Sequence, residues 1–287
     1  MEKIFKDSKG NTLSYGVWGD VKHPAILFFH GFPGSNIQGS ALTDELKKHQ
    51  LCLIAADRPG YGGSSPLKAL SVHEHMEGLI ELLELHGKKE FYVVGVSGGA
   101  PMAHIMASEY FTQVQSLTIV CGLATPNTDT WKSFGKFQQR ALTMRKIVPE
   151  FILRPIINKV LRRHGPHERI KRFLSTLNQT DRNILKDIEN YNLMVASMTD
   201  AIRQGAQGIL WDSALFSQDW LTAYCEMDAL AKIPVSYYHG TQDFILNYKM
   251  AEQMNKMLPH STLEIFDGEG HYSLPLTKRP QIIEKLL

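Results

Sequence analysis

The chain has 287 residues, 43% hydrophobic and 21% charged. Those proportions suit one large globular domain, or a core domain with an insertion, and exclude a disordered polar chain. Basic residues number 31 and acidic ones 29, a net charge of +2, so the charge balance gives no reason to expect nucleic acid as a partner.

Taken in chain order, the first elements read as an N-terminal hairpin. Ile4–Asp7 and Leu13–Trp18 flank the turn-rich Ser8–Asn11,. Short continuous apolar runs follow at Ala25–Phe29, Leu51–Ala56, Phe91–Val96 and Ser116–Val120. Such runs, separated by helix-length segments, mark parallel strands buried on both faces. Ala41–His49 and Val72–His86 carry helical spacing, with Val72, Met76, Leu79, Ile80 and Leu83 on one stripe,. The series implies a doubly wound sheet. From about Thr125 to Tyr224 no strand pattern is evident. Helical stretches occupy Phe151–Arg163, Arg182–Met198 and Thr199–Ile209. Strand signals return at Val235–Tyr238 and Thr262–Phe266, and Gln281–Leu287 closes as a helix. The expected architecture is an α/β fold with an eight-stranded, mostly parallel sheet. Residues 1–124 and 225–287 form its core, and residues 125–224 an inserted helical cap.

The chemistry centres on Gly95-Val-Ser97-Gly-Gly99. A GxSxG pattern is common by chance, so its place decides. Here an apolar strand ends at Val96 and a helix begins at Ala100. A sharp strand-to-helix turn presents a serine at the carboxyl edge of the sheet, and flanking glycines allow it to be tight. A serine hydroxyl is a poor nucleophile without a base. Gly268-Glu-Gly-His271 follows the last strand and supplies His271 as that base. His30 and His239, at strand ends, read as structural, and His86 and His104 as helix residues. The acid that orients the imidazole is expected at the end of the penultimate strand, which selects Asp243. Asp228 lies at the wrong end of that strand, and Asp267 and Glu269 lie too near His271 in sequence. Two backbone amides must meet the developing oxyanion. Gly98 follows the nucleophile, and Phe32 lies in the loop His30-Gly31-Phe32-Pro33-Gly34-Ser35 after the third strand.

HGFPGS at 30–35, DRPGYGGS at 57–64, GVSGGA at 95–100, HGTQD at 239–243 and GEGH at 268–271 together resemble the α/β-hydrolase superfamily over nearly the whole chain. The resemblance implies an eight-stranded sheet and a structural role for Asp57. Members like haloalkane dehalogenases and epoxide hydrolases place aspartate at the elbow, where this chain has Ser97. Members like proline iminopeptidases carry HGGPG, where this chain has HGFPG. The expected function is hydrolysis of a carboxylic ester of a small or medium apolar acyl group. A carbon–carbon bond hydrolase, thioesterase or lactonase would share the same motifs, and a ligand sensor on a hydrolase scaffold is the alternative of another class.

Between Trp131 and Arg172 stand 12 Lys or Arg against Glu150 and Glu168. A solvated helical face is the commoner use of such a run, and attraction of an acidic substrate or an anionic membrane surface is the other. Phe151, Ile152, Leu153, Ile156, Ile157, Val160 and Leu161 exceed one narrow stripe; packing is expected for most, with some under the cap beside substrate. Trp211 and Trp220 pose the same question. Cys52, Cys121 and Cys225 are widely spaced and odd in number, so buried thiols in a reducing compartment are expected, with no metal and no organic cofactor. The polar N-terminus carries no apolar core of a leader, and no apolar run reaches about 18 residues. The expectation is a cytoplasmic monomer or homodimer that takes a small-molecule substrate and has no membrane span.

Overall fold

The computed structural model describes residues 2–67 and 70–287; Met1, Lys68 and Ala69, all within the first expected core segment, lie outside it. Eight strands form one sheet: β1 (Lys3–Lys6), β2 (Thr12–Gly19), β3 (Ala25–Phe29), β4 (Cys52–Ala56), β5 (Phe91–Val96), β6 (Val114–Val120), β7 (Val235–Gly240) and β8 (Thr262–Phe266). Their spatial order is β1-β2-β4-β3-β5-β6-β7-β8. The first two pairings are antiparallel and the rest parallel. The fold class is therefore α/β with a mostly parallel eight-stranded sheet.

Alternation along the strands splits the core in two. Ala25, Leu27 and Phe29 of β3 pack on one face with α2 (Val72–Leu85) and α3 (Ala100–Glu109). Ile26 and Phe28 point the other way. They meet α1 (Thr43–Lys48) and the last helix, α14 (Arg279–Leu286), through Leu46, Ile283 and Leu286. Every residue of β3 and β4 is buried, as strands covered on both faces must be. A 3₁₀ helix, Asn36–Leu42, leads into α1, so the expected helix Ala41–His49 starts late.

Between β6 and β7 the chain is helical: α4 (Lys136–Ile147), α5 (Glu150–Arg162), α6 (Pro166–Leu174), α7 (Gln179–Ile184), α8 (Ile188–Ala201), α9 (Gln207–Phe216), α10 (Trp220–Tyr224) and α11 (Met227–Leu230). Two expectations fail in detail here. Arg182–Met198 is not one helix, because α7 stops at Ile184 and Asp187 caps α8 by accepting the Glu189 and Asn190 amides,. Thr199–Ile209 is not helical throughout. The chain turns after Ala201, and Gly205 sits at φ +71° before α9 restarts,. After β7 come α12 (Lys249–Met257), β8, α13 (Ser273–Thr277) and α14. Among the described residues no helix is long and apolar enough to cross a membrane. The three cysteines are buried and free.

Candidate active site

In a parallel sheet the loops after the strands gather at the carboxyl edge. His30 follows β3, Ser97 follows β5, Asp243 follows β7 and His271 follows β8, so four distant stretches of chain converge. Ser97 has φ +54°, in the left-handed region that costs a residue with a Cβ about 1–2 kcal/mol,. The turn is tight because its glycines leave room. A Cβ on Gly95 would meet Ala103 Cβ at 2.6 Å, and one on Gly99 would collide with the Phe29 carbonyl. Leu123 N donates to the Ser97 carbonyl at 3.0 Å and helps to hold the elbow.

Ser97 Oγ lies 2.9 Å from His271 Nε2, and His271 Nδ1 lies 2.7 Å from Asp243 Oδ2. All three residues are buried. Asp243 Oδ1 accepts the Ile245 and Leu246 amides at 2.9 and 2.8 Å. His239 Nε2 lies 3.0 Å from Asp243 Oδ2 and 2.8 Å from the Leu246 carbonyl, so His239 supports the acid. Burial alone would raise the Asp243 carboxyl, but the His271 charge and the hydrogen bonds from both histidines hold it well below the carboxylate range,. Burial is also the largest influence on His271 and would lower it. The Asp243 charge, its hydrogen bond and the nearby Asp181 charge outweigh that, and the imidazole sits above its ordinary 6.5. Cys121, His239 and Asp243 bring ligand-type atoms within 4.8 Å of one another. Hydrogen bonds occupy His239 Nε2 and both Asp243 oxygens, whereas the buried His239 Nδ1 meets no hydrogen-bond partner among the described residues; burial and Asp243 push the Cys121 thiol well up. The other acids are elsewhere: Asp228 is exposed, Asp267 accepts from Thr241 Oγ1 at 2.9 Å, and Glu269 accepts from Ser273 and Thr277.

Phe32 and Gly98 are neighbours. A Cβ on Gly98 would strike Phe32 Cβ and lie 3.3 Å from Phe32 N. Among the described residues the Phe32 amide donates to no backbone carbonyl. The loop that carries it is anchored from beneath by Arg58, which donates to the His30 carbonyl and, at 3.2 Å, to the Gly31 carbonyl. Arg58 also forks onto Asp212 of α9, Nε to Oδ1 at 2.9 Å and the second terminal nitrogen to Oδ2 at 2.7 Å, with both side chains fully buried. Asp57, given a structural role by the resemblance, accepts the Asn36 amide at 2.6 Å and its side-chain Nδ2 at 2.9 Å. Burial raises its carboxyl to about 6.

Sequence reasoning missed Asp181 of α7. It is buried, and its carboxylate accepts three successive amides of the histidine loop: His271 N at 3.0 Å, Tyr272 N at 2.8 Å and Ser273 N at 2.9 Å. Those amides open α13, where a carboxylate is favoured. Gly270 permits the approach, since a Cβ there would clash with both Asp181 oxygens. No local pattern at Asn178–Asp181 marks this contact, which spans 90 positions.

A cavity of about 140 Å³ opens beside Ser97 and His271. The core side supplies Phe28, Val94 and Ile282, and α8 supplies Asn190, Met194 and Met198. No residue of α5 lines it, nor do Trp211 and Trp220. Trp211 packs near His75 and Trp220 near His104. Leu153, Ile157 and Leu161 of α5 are half-buried, whereas Phe151, Ile152, Ile156 and Val160 are exposed.

Residues 24–276 match the sequence profile of the alpha/beta hydrolase fold family. The chain is 26% identical over 271 residues to monoacylglycerol lipase ABHD6 of Bos taurus, covering 92% of this chain and 74% of that protein. The Homo sapiens counterpart is 24% identical over the same span and coverage. Among solved structures, the esterase EaEST from Exiguobacterium antarcticum superposes with a TM-score of 0.71 at 17% identity, over 100% of this chain and 98% of that one. A hydrolase from Pseudomonas aeruginosa gives 0.71 at 17%, over 99% and 96%. These likenesses carry the same fold, and the profile match spans most of the chain. The chain belongs to the alpha/beta hydrolase fold family and is a hydrolase.

Proposed function

We propose that this protein is a serine esterase that cleaves carboxylic esters of a small or medium, largely apolar acyl group through an acyl-enzyme on Ser97. The observation that carries the reading is the continuous hydrogen-bonded path from Ser97 Oγ through His271 to Asp243. Ser97 Oγ attacks the carbonyl carbon while His271 Nε2 takes its proton. Asp243 holds the imidazole in the tautomer with hydrogen on Nδ1 and stabilises the imidazolium. The Phe32 and Gly98 amides hold the oxyanion. The imidazolium returns its proton to the leaving alcohol, and water repeats the sequence to release the acid. Residues 125–224 act as a cap over a core of residues 1–124 and 225–287; the α8 side chains in the cavity support that division. The relatives named as monoacylglycerol lipases support an ester over a carbon–carbon bond.

The cavity sets the acyl size. A pocket of similar volume in another protein holds benzene, so kcat/KM on nitrophenyl esters should peak at about four to eight acyl carbons. A profile that favours the matching thioesters more than tenfold, or no turnover at any length, would sink the ester reading.

Free His271 must be neutral to accept the Ser97 proton. Its pKa is raised, so kcat/KM should rise with pH through a midpoint above the ordinary imidazole value. Asp181 acts here as a positioning residue that also stabilises the imidazolium by its charge. Asp181→Asn keeps an acceptor oxygen but loses that charge. The expected result is lower activity with the midpoint moved to lower pH. A merely structural role would depress activity and leave the midpoint in place, and a pH–rate profile of both proteins separates the two.

A further inference from the structure

We propose that the outer face of α4 and α5 docks on an anionic lipid bilayer. On these two consecutive helices Phe137 is 83% exposed, Ile147 73%, Phe151 77% and Val160 62%. Met144, Ile152 and Ile156 are exposed beside them. Neither helix has a buried residue. The remaining side of each helix is already used: Arg145 Nε donates to Ser213 Oγ of α9 at 3.1 Å, Asn158 Oδ1 accepts the Ala206 amide at 2.9 Å, and Leu153, Ile157 and Leu161 are half-buried. The exposed side chains are therefore a second apolar surface, one that packing within the chain does not use.

Charge selects the occupant. Residues 136–163 hold eight Lys or Arg and one acid, Glu150. Glu150 pairs with Arg154 and lies 3.8 Å from Arg145. Lys136, Arg140, Lys146, Lys159, Arg162 and Arg163 are exposed and, among the described residues, make no ion pair. The stretch is net +7 in a chain that is net +2 overall, so the positive charge is concentrated here. Large apolar side chains flanked by unpaired cations match the acyl boundary and the phosphate or carboxylate headgroups of an anionic leaflet. A second copy of the chain fits poorly, because a two-fold interface would set these cations against their own equivalents. A nucleic acid would use the cations and leave the apolar side chains idle. This inference does not rest on the ester chemistry, because lipid binding is read without turnover.

The test is co-sedimentation of the full chain with vesicles of phosphatidylcholine alone and with 30% phosphatidylserine added. Binding is expected only with phosphatidylserine and should fall as salt is raised. Lys159→Glu/Arg162→Glu/Arg163→Glu should weaken partitioning on the order of a hundredfold. Phe151→Ser/Ile152→Ser/Ile156→Ser should weaken it on the order of a hundredfold or more. Both variants alter exposed side chains away from the cavity, so their hydrolysis of a soluble ester should match the unaltered protein. No sedimentation with phosphatidylserine would overturn the proposal, as would equal binding to neutral vesicles. A dimer in sizing experiments that the apolar variant dissociates would instead assign the face to a second copy.

Discussion

Ser97→Ala should lower kcat on a short nitrophenyl ester by on the order of a millionfold while leaving KM within a few-fold. The hydroxyl is the only group at the elbow that can form the acyl bond, and without it His271 has no proton to take. The cavity and the oxyanion amides remain, so binding persists. The same position separates function from stability. Alanine keeps a Cβ at φ +54° and so keeps the backbone strain, whereas Ser97→Gly relieves it. Ser97→Gly should therefore be more stable than Ser97→Ala by about 1 kcal/mol and equally inactive. Steady-state kinetics and denaturant unfolding on the two variants check both halves. Activity within a hundredfold of the unaltered protein in either variant would remove Ser97 from the mechanism.

Arg58→Met should cost about 3–5 kcal/mol of stability, a fall in melting temperature on the order of 10 °C for a chain of this size. The reason is what it leaves behind. Asp212 is fully buried and its carboxylate is met by the Arg58 fork, so methionine strands a charge in the core. The His30 and Gly31 carbonyls lose their donor as well. Arg58→Met/Asp212→Leu removes both charges and should regain most of the loss, because a buried ion pair against an apolar pair is close to neutral. Activity should remain reduced in the double variant, since the His30 and Gly31 carbonyls still lack their donor and the loop that carries Phe32 keeps only contacts such as those to Gln38 and Ser197. Differential scanning calorimetry with kinetics on the same samples reads both effects. A single variant within about 1 kcal/mol of the unaltered protein would mean that the pair does not hold α9 to the core.

The proposed triad is legible in the sequence because each member sits at the end of a strand whose apolar run is recognisable alone. Ser97 follows β5, Asp243 β7 and His271 β8, and in a parallel sheet those ends share one edge. Strand β3 was read to the residue because continuous burial needs continuous apolarity,. The helical segment was harder. Its helix breaks depend on single residues, Asp187 as a cap and Gly205 in the left-handed region, inside stretches whose polarity is helical throughout. Asp181 and Asp212 were invisible for a different reason. Each is an ordinary helix acid in sequence, and only a partner 90 or 154 positions away gives it a role. The apolar residues of α5 show the converse. Their excess over one stripe was plain, but only the folded chain separates Leu153 and Ile157, which face inward, from Phe151 and Ile156, which face out.

The most direct test of the central claim is the covalent state of Ser97 during turnover. The protein would be mixed with a nitrophenyl ester, quenched in acid within milliseconds, digested and mapped by mass spectrometry. The predicted result is one acyl group on the peptide that contains Ser97, absent from Ser97→Ala and from His271→Ala, whose serine has no base. Turnover at full rate with no adduct on that peptide, or with the adduct on another residue, would contradict the account.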